Sequence, residues 1–239
     1  MKHKKAYAKL PLFQFMRNEE LSAWERVGFY PCMAHFILSF GDLNRFVLRD
    51  ETSSDAYQAM VNLHTYEDDH HWRWYLEDFC KLGHDKLQKS SDYLRFLWGD
   101  ETRMNRILMY KLTALIGRAT PKQKLAIIEA IEETGNVLFA LTAKLAQPLE
   151  QVLGVELRYL GEFHFEKETG HAMNNDHRVM ASIPMSADEE AETLAMVNEV
   201  FEVFAAWTQE LLEYAQAHRA SSPVLTRPVL VERPLYVAA

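Results

Sequence analysis

The sequence is poor in the residues that cross-link or punctuate a chain. Only Cys32 and Cys80 are present, with no C-x-x-C pair, so neither a disulfide framework nor a thiolate zinc site is expected, and both cysteines read as buried thiols. Nine glycines and eight prolines are spread over 239 residues, and no stretch alternates apolar and polar residues over hairpin-length runs, which leaves strands with little support. No run approaches the roughly 18 uninterrupted apolar residues of a membrane span, and the N-terminus lacks the charged, apolar and small-residue order of a signal sequence, so a cytoplasmic protein with no membrane partner is expected. Basic residues form no stripe beyond KHKK at residues 2–5, and the net charge is −8, which argues against a nucleic-acid partner.

What the chain does have is core-forming material: 48% of its residues are hydrophobic and 12% are aromatic. With nothing resembling a linker in the middle, residues 1–239 read as one all-α domain of about seven helices. A short aromatic piece at LPLFQFM is followed by Asn18 as a cap and a helix to about Phe40, kinked at Pro31. Caps at Thr52, Ser53 and Ser54 open a helix of roughly thirty residues that Gly83 stops. Ser90–Trp98 is a short helix or turn, Asp100 caps a pattern that ends at Gly117, and Pro121 opens a helix that Pro148 separates from the next. Ser186 with Glu189 is a capping box for the last helix, to about His218. The tail 220–239, with Pro223, Pro228 and Pro234, cannot be helical and is expected to run extended over the body or onto a second copy, which makes a homodimer the expected assembly.

Two stretches carry chemistry. In ELRYLGEFHFEKETGHAMNNDH the spacing of His164, Glu168 and His171 puts all three side chains on one face of a helix. HTYEDDHH repeats the arrangement one hundred residues earlier with His64, Asp68 and His71. Imidazole and carboxylate together suit iron or manganese held between facing helices, and Glu132 supplies a further carboxylate. Another register is open: Glu67 with His70 and Glu168 with His171 are both E-x-x-H, and with Glu132 or Glu133 and Glu25 they imitate a ferritin-like di-iron bundle.

The stretch FQFMRNEELSAWERVGFYPCMAHF resembles the first helices of the haem-oxygenase-like proteins, which include type II thiaminases and pyrroloquinoline-quinone synthase. The His164, Glu168, His171 triplet is similar to that of the di-iron oxidases of the same fold, and Glu132, Asp68 and His71 stand where that pattern has ligands. The resemblance, over roughly residues 10–215, therefore implies a haem-oxygenase-like bundle holding two iron ions, with the extended C-terminal tail beyond it. At the acidic position of the first long helix stands Ala34, with His35 beside it: either His35 takes over, the register shifts, or the first metal position is incomplete. The thiaminase branch carries a nucleophilic cysteine mid-chain, and residues 129–144 have none.

Three functions follow as expectations. One is an oxidoreductase that uses iron and dioxygen on a small-molecule substrate, with His35, His64, Asp68, His71, Glu132, His164, Glu168 and His171 as candidate ligands. Another is a cofactor-independent, small-molecule-binding protein on the same fold. The third is a structural bundle with both triplets on its outside.

Overall fold

The structure, a computed structural model, describes residues 2–170 and 183–219, without the side chains of 168–170. Among the described residues there is no strand, as the scarcity of alternating patterns predicts. The helices are α1 (Lys2–Tyr7), α2 (Pro11–Arg17), α3 (Ala23–Arg26), α4 (Ala34–Leu43), α5 (Ala56–Asp68), α6 (Trp72–Lys81), α7 (Ser90–Trp98), α8 (Arg103–Gly117), α9 (Pro121–Leu153), α10 (Glu162–Gly170) and α11 (Ala187–Ala217). Residues 90–98 form the helix α7, and α9 and α11 start where Pro121 and the Ser186 box predict.

Several expectations need correction. The helix from Asn18 to Phe40 is instead α3, a 3-10 turn at Tyr30–Met33 and α4. Ser22, not Asn18, is its cap, in a reciprocal box with Glu25, and Pro31 sits in the first turn of the 3-10 piece, where its missing amide costs nothing. The thirty-residue helix after Ser54 is broken into α5 and α6 at residues 69–71, and its cap is Asp55, whose carboxylate accepts the amides of Tyr57 and Gln58. Pro148 lies inside α9 and does not end it. Its missing amide is outweighed by the apolar face of Leu145, Ala146 and Leu149, all buried, and the helix stops at Gly154, whose φ of 68° is the left-handed cap that glycine adopts without strain.

The long helices α9 and α11 pack on each other, and α9 also carries α5 and α10. α8 closes the other side against α4 and α11. Ile127, Ile128, Ile131 and Leu138 on α9 are buried, each contributing roughly 1.5–3 kcal/mol to folding. A glutamate holds α8 in place where Asp100 was expected to cap it: Glu210 of α11 accepts the amides of Met104 and Asn105, at 2.6 and 3.3 Å, and the Asn105 side chain at 3.0 Å. Cys32 is buried, with its thiol pushed up by desolvation, whereas Cys80 is exposed, contrary to expectation, because it lies on the outer side of α6. The tail 220–239 lies outside the described residues.

Candidate metal site

α5 presents two faces. Leu63 and Tyr66 are exposed, while Val61, His64, Thr65 and Asp68 point inward, and the four-residue step from His64 to Asp68 stacks them one turn apart. Arg49 fastens the end of the helix by donating to Thr65 Oγ1 and to Asp69 Oδ2, both at 2.8 Å. α4 passes close to the break that follows. A Cβ at Gly41 would meet the Asp69 carbonyl at 2.9 Å and the Trp72 ring at 3.0 Å, so this contact needs glycine. The break turns His71 back toward Asp68, and Trp74 stacks on its imidazole at 4.3 Å.

Two other helices complete the group. Glu132 of α9 places Oε1 3.1 Å from His64 Nε2, and Asp68 Oδ2 lies 3.0 Å from the same nitrogen. The other oxygen of Asp68, Oδ1, is 3.8 Å from His71 Nδ1. His164 of α10 brings Nε2 to 3.2 Å from His71 Nδ1. His164 Nδ1 is 2.9 Å from the Tyr159 carbonyl, an acceptor, so Nδ1 carries the proton and Nε2 offers a lone pair inward. All five side chains are 1–6% exposed.

A turn anchored by an acid sets the position of His164. Asp78 of α6, 0% exposed, accepts the amides of Arg158, Tyr159 and Leu160 at 2.9, 2.7 and 3.0 Å. Burial pushes its carboxyl above the ordinary range, and the three amides and Lys81 pull it back. Glu150 of α9 adds a bond from the Leu157 amide at 2.8 Å. The sequence reading passed over Asp78. Its one signal was an acid inside the aromatic run WRWYLEDF, where a charge has to be paired to be buried.

Asp68, His71, Glu132 and His164 form part of the wall of a cavity of about 70 Å³. The rest of that wall is largely apolar, with Phe36, Ile37 and Phe40 from α4, Leu138 and Phe139 from α9, and Trp207 from α11. A chamber of this kind, with a few converging polar groups, suits a small organic ligand. The donor set, imidazole nitrogens with carboxylate oxygens, fits a divalent cation of the iron or manganese type. His64, Asp68 and Glu132 each offer an atom within 4.8 Å of the others, close enough for one ion to touch all three. Two imidazole nitrogens about 2.1 Å from a single ion and at right angles would lie about 3 Å apart, near the separation between His71 and His164.

The other sequence candidates fall elsewhere. Glu168 has no described side chain, and His171 lies outside the described residues. His35 faces away from the group, edge-on to Trp98 at 5.4 Å, where burial and Arg106 hold its pKa down. Ala34 is in the core, and α4 lines the cavity with apolar residues, not with an acid. Glu67 and His70 line an outer groove with Tyr66 and Lys167. Glu133 pairs with Lys4 and Glu25 caps its own helix, so the ferritin-like set is not assembled. His64 and His164 both face inward, which excludes the reading with both triplets on the outside.

The sequence matches no protein-family model and no curated protein. The backbone is similar to the crystal structure of a domain of unknown function with a haem oxygenase-like fold from Shewanella denitrificans OS217, with a TM-score of 0.63 and 12% identity over 92% of this chain and 94% of that one. At that identity the likeness is one of fold: the chain adopts a haem-oxygenase-like helical bundle.

Proposed function

We propose that this protein is a metal-dependent oxidoreductase in which two iron ions, held between facing helices, act with dioxygen on a small organic molecule. One observation carries the reading: three imidazoles and two carboxylates, all more than nine-tenths buried, converge, and four of the five line a largely apolar cavity. Carboxylates withdrawn from water this far need compensating positive charge. His64, Asp68 and Glu132 would hold one ion, and His71 and His164 the other, with the two oxygens of Asp68 directed to the two pairs. Glu168 and His171 are further candidate ligands. Bound ferrous iron would supply the redox chemistry with dioxygen.

The chain's own residues do the remaining work. The Tyr159 carbonyl fixes the His164 tautomer, Trp74 holds the His71 ring by stacking, and the aromatic wall keeps bulk water from the chamber. Two free thiols accord with a reducing, cytoplasmic setting. A homodimer remains part of the proposal, and light scattering after size exclusion tests it.

The test is metal content. Protein loaded anaerobically with ferrous iron and desalted is expected to keep between about one and two irons per chain, and the His64→Ala, Glu132→Ala double variant less than half of that. Equal contents in the two, or less than about one iron in the wild type, would remove the metal reading. A second reading, a small-molecule-binding protein without metal, is favoured by the apolar face that α4 turns to the cavity. It predicts stabilisation by a ligand with no metal bound.

A further inference from the structure

Trp207 on α11 is 3% exposed and lines the same cavity, yet its indole Nε1 has no hydrogen-bond acceptor among the described residues. Two hydroxyls on the wall are used within their own helices: Thr134 Oγ1 donates to the Ile131 carbonyl at 2.7 Å, and Thr208 Oγ1 to the Ala205 carbonyl at 2.8 Å. Phe36 and Phe204 pack edgewise around the indole, with centroids at 4.9 and 5.8 Å, and their ring faces are weak acceptors at best. A buried N–H left without a partner is costly, and one on a cavity wall is most simply completed by what fills the cavity.

Size narrows the ligand. The chamber holds about 70 Å³, room for a small molecule only. We propose that the Trp207 indole N–H is the hydrogen-bond anchor of this chamber, and that its ligand is a small, mainly apolar molecule carrying one acceptor oxygen of the ketone, aldehyde or ester type. The inference rests on reading the cavity as a ligand chamber and not on the identity of the metal. A site that completes a buried donor rejects the analogue lacking the acceptor, so Trp207 would set specificity by position and not by charge.

The experiment compares two probes of equal size, cyclopentanone and methylenecyclopentane, on the full-length chain as purified and on Trp207→Phe. Calorimetric titration gives affinities, and 15N labelling of the indoles gives the Trp207 Nε1–H resonance, identified by its loss in the variant. The ketone is expected to bind the wild type about five-fold more tightly than the alkene, as one net hydrogen bond implies. It alone should move the Trp207 resonance downfield, and Trp207→Phe should erase the preference while leaving alkene binding in place. Equal binding of the probes to the wild type, or an unmoved resonance, overturns the inference. If neither probe binds, the cavity is no ligand chamber, and the substrate half of the proposed function falls with this one, while iron content still judges the metal half. Should Trp207→Phe fail to fold, the ratio of the two wild-type affinities decides alone.

Discussion

Asp78 offers the sharpest test of how this fold places its candidate ligands. It touches none of the group, yet through three amide bonds it holds the turn whose Tyr159 carbonyl orients His164. Asp78→Ala would leave those amides without their acceptor in a site where the side chain is fully buried. Each orphaned donor costs about 1–3 kcal/mol, and water entering from the partly exposed side of Arg158 should recover part of the sum, so a loss of about 3–5 kcal/mol is expected. That is a large share of a typical stability of about 5–15 kcal/mol, and at about 2–4 °C per kcal/mol for a chain of this size the melting temperature should drop by about 10 °C. Asp78→Asn keeps the shape and one acceptor oxygen but turns its NH2 toward an amide, and should lose less than the alanine variant. Thermal and urea unfolding measure both. Metal content is the second readout: the alanine variant, kept below its melting point, should retain less iron than the wild type because His164 is no longer held. A melting temperature within about 2 °C of wild type would refute the reasoning, since it would mean the three bonds contribute under about 1 kcal/mol.

Burial pushes the His84 imidazole down to about 4, from an ordinary value of 6.5, so the unfolded chain takes up a proton before the folded one does. Stability contributed by neutral His84 is therefore present above pH 6.5 and lost as pH falls toward 4, and His84→Gln should flatten that part of the melting-temperature curve. Stripping iron from the loaded protein at pH 7 should lower its melting temperature, by an amount equivalent to about 2.7 kcal/mol if free metal had stood at one hundred times its dissociation constant, and His64→Ala should reduce the difference. Glu210→Ala removes the acceptor for the first amides of α8 and should cost about 1–2 kcal/mol in urea unfolding, whereas Glu213→Ala, one turn further along α11 and exposed, should change stability by under about 0.5 kcal/mol.

The sequence by itself determined what is local. Signals for a helix start lie within four residues of it, so Pro121, and Ser186 with Glu189, were legible as helix starts. The same holds for the four-residue step that puts His64 and Asp68 on one stripe, and for the lack of alternation that leaves only helices. The tertiary structure decided which stripes face each other. Spacing cannot tell His35 from His64, since each sits beside apolar residues on a helix; α8 and Trp98 take up the first, and α9 with Glu132 the second. Nor could it show that the chain would turn at residues 69–71, because that turn depends on Arg49 and on the close approach of Gly41, both remote in sequence. Burial of a polar group is settled by what surrounds it, and for His71, His164 and Asp78 the surroundings come from segments about eighty to ninety residues away.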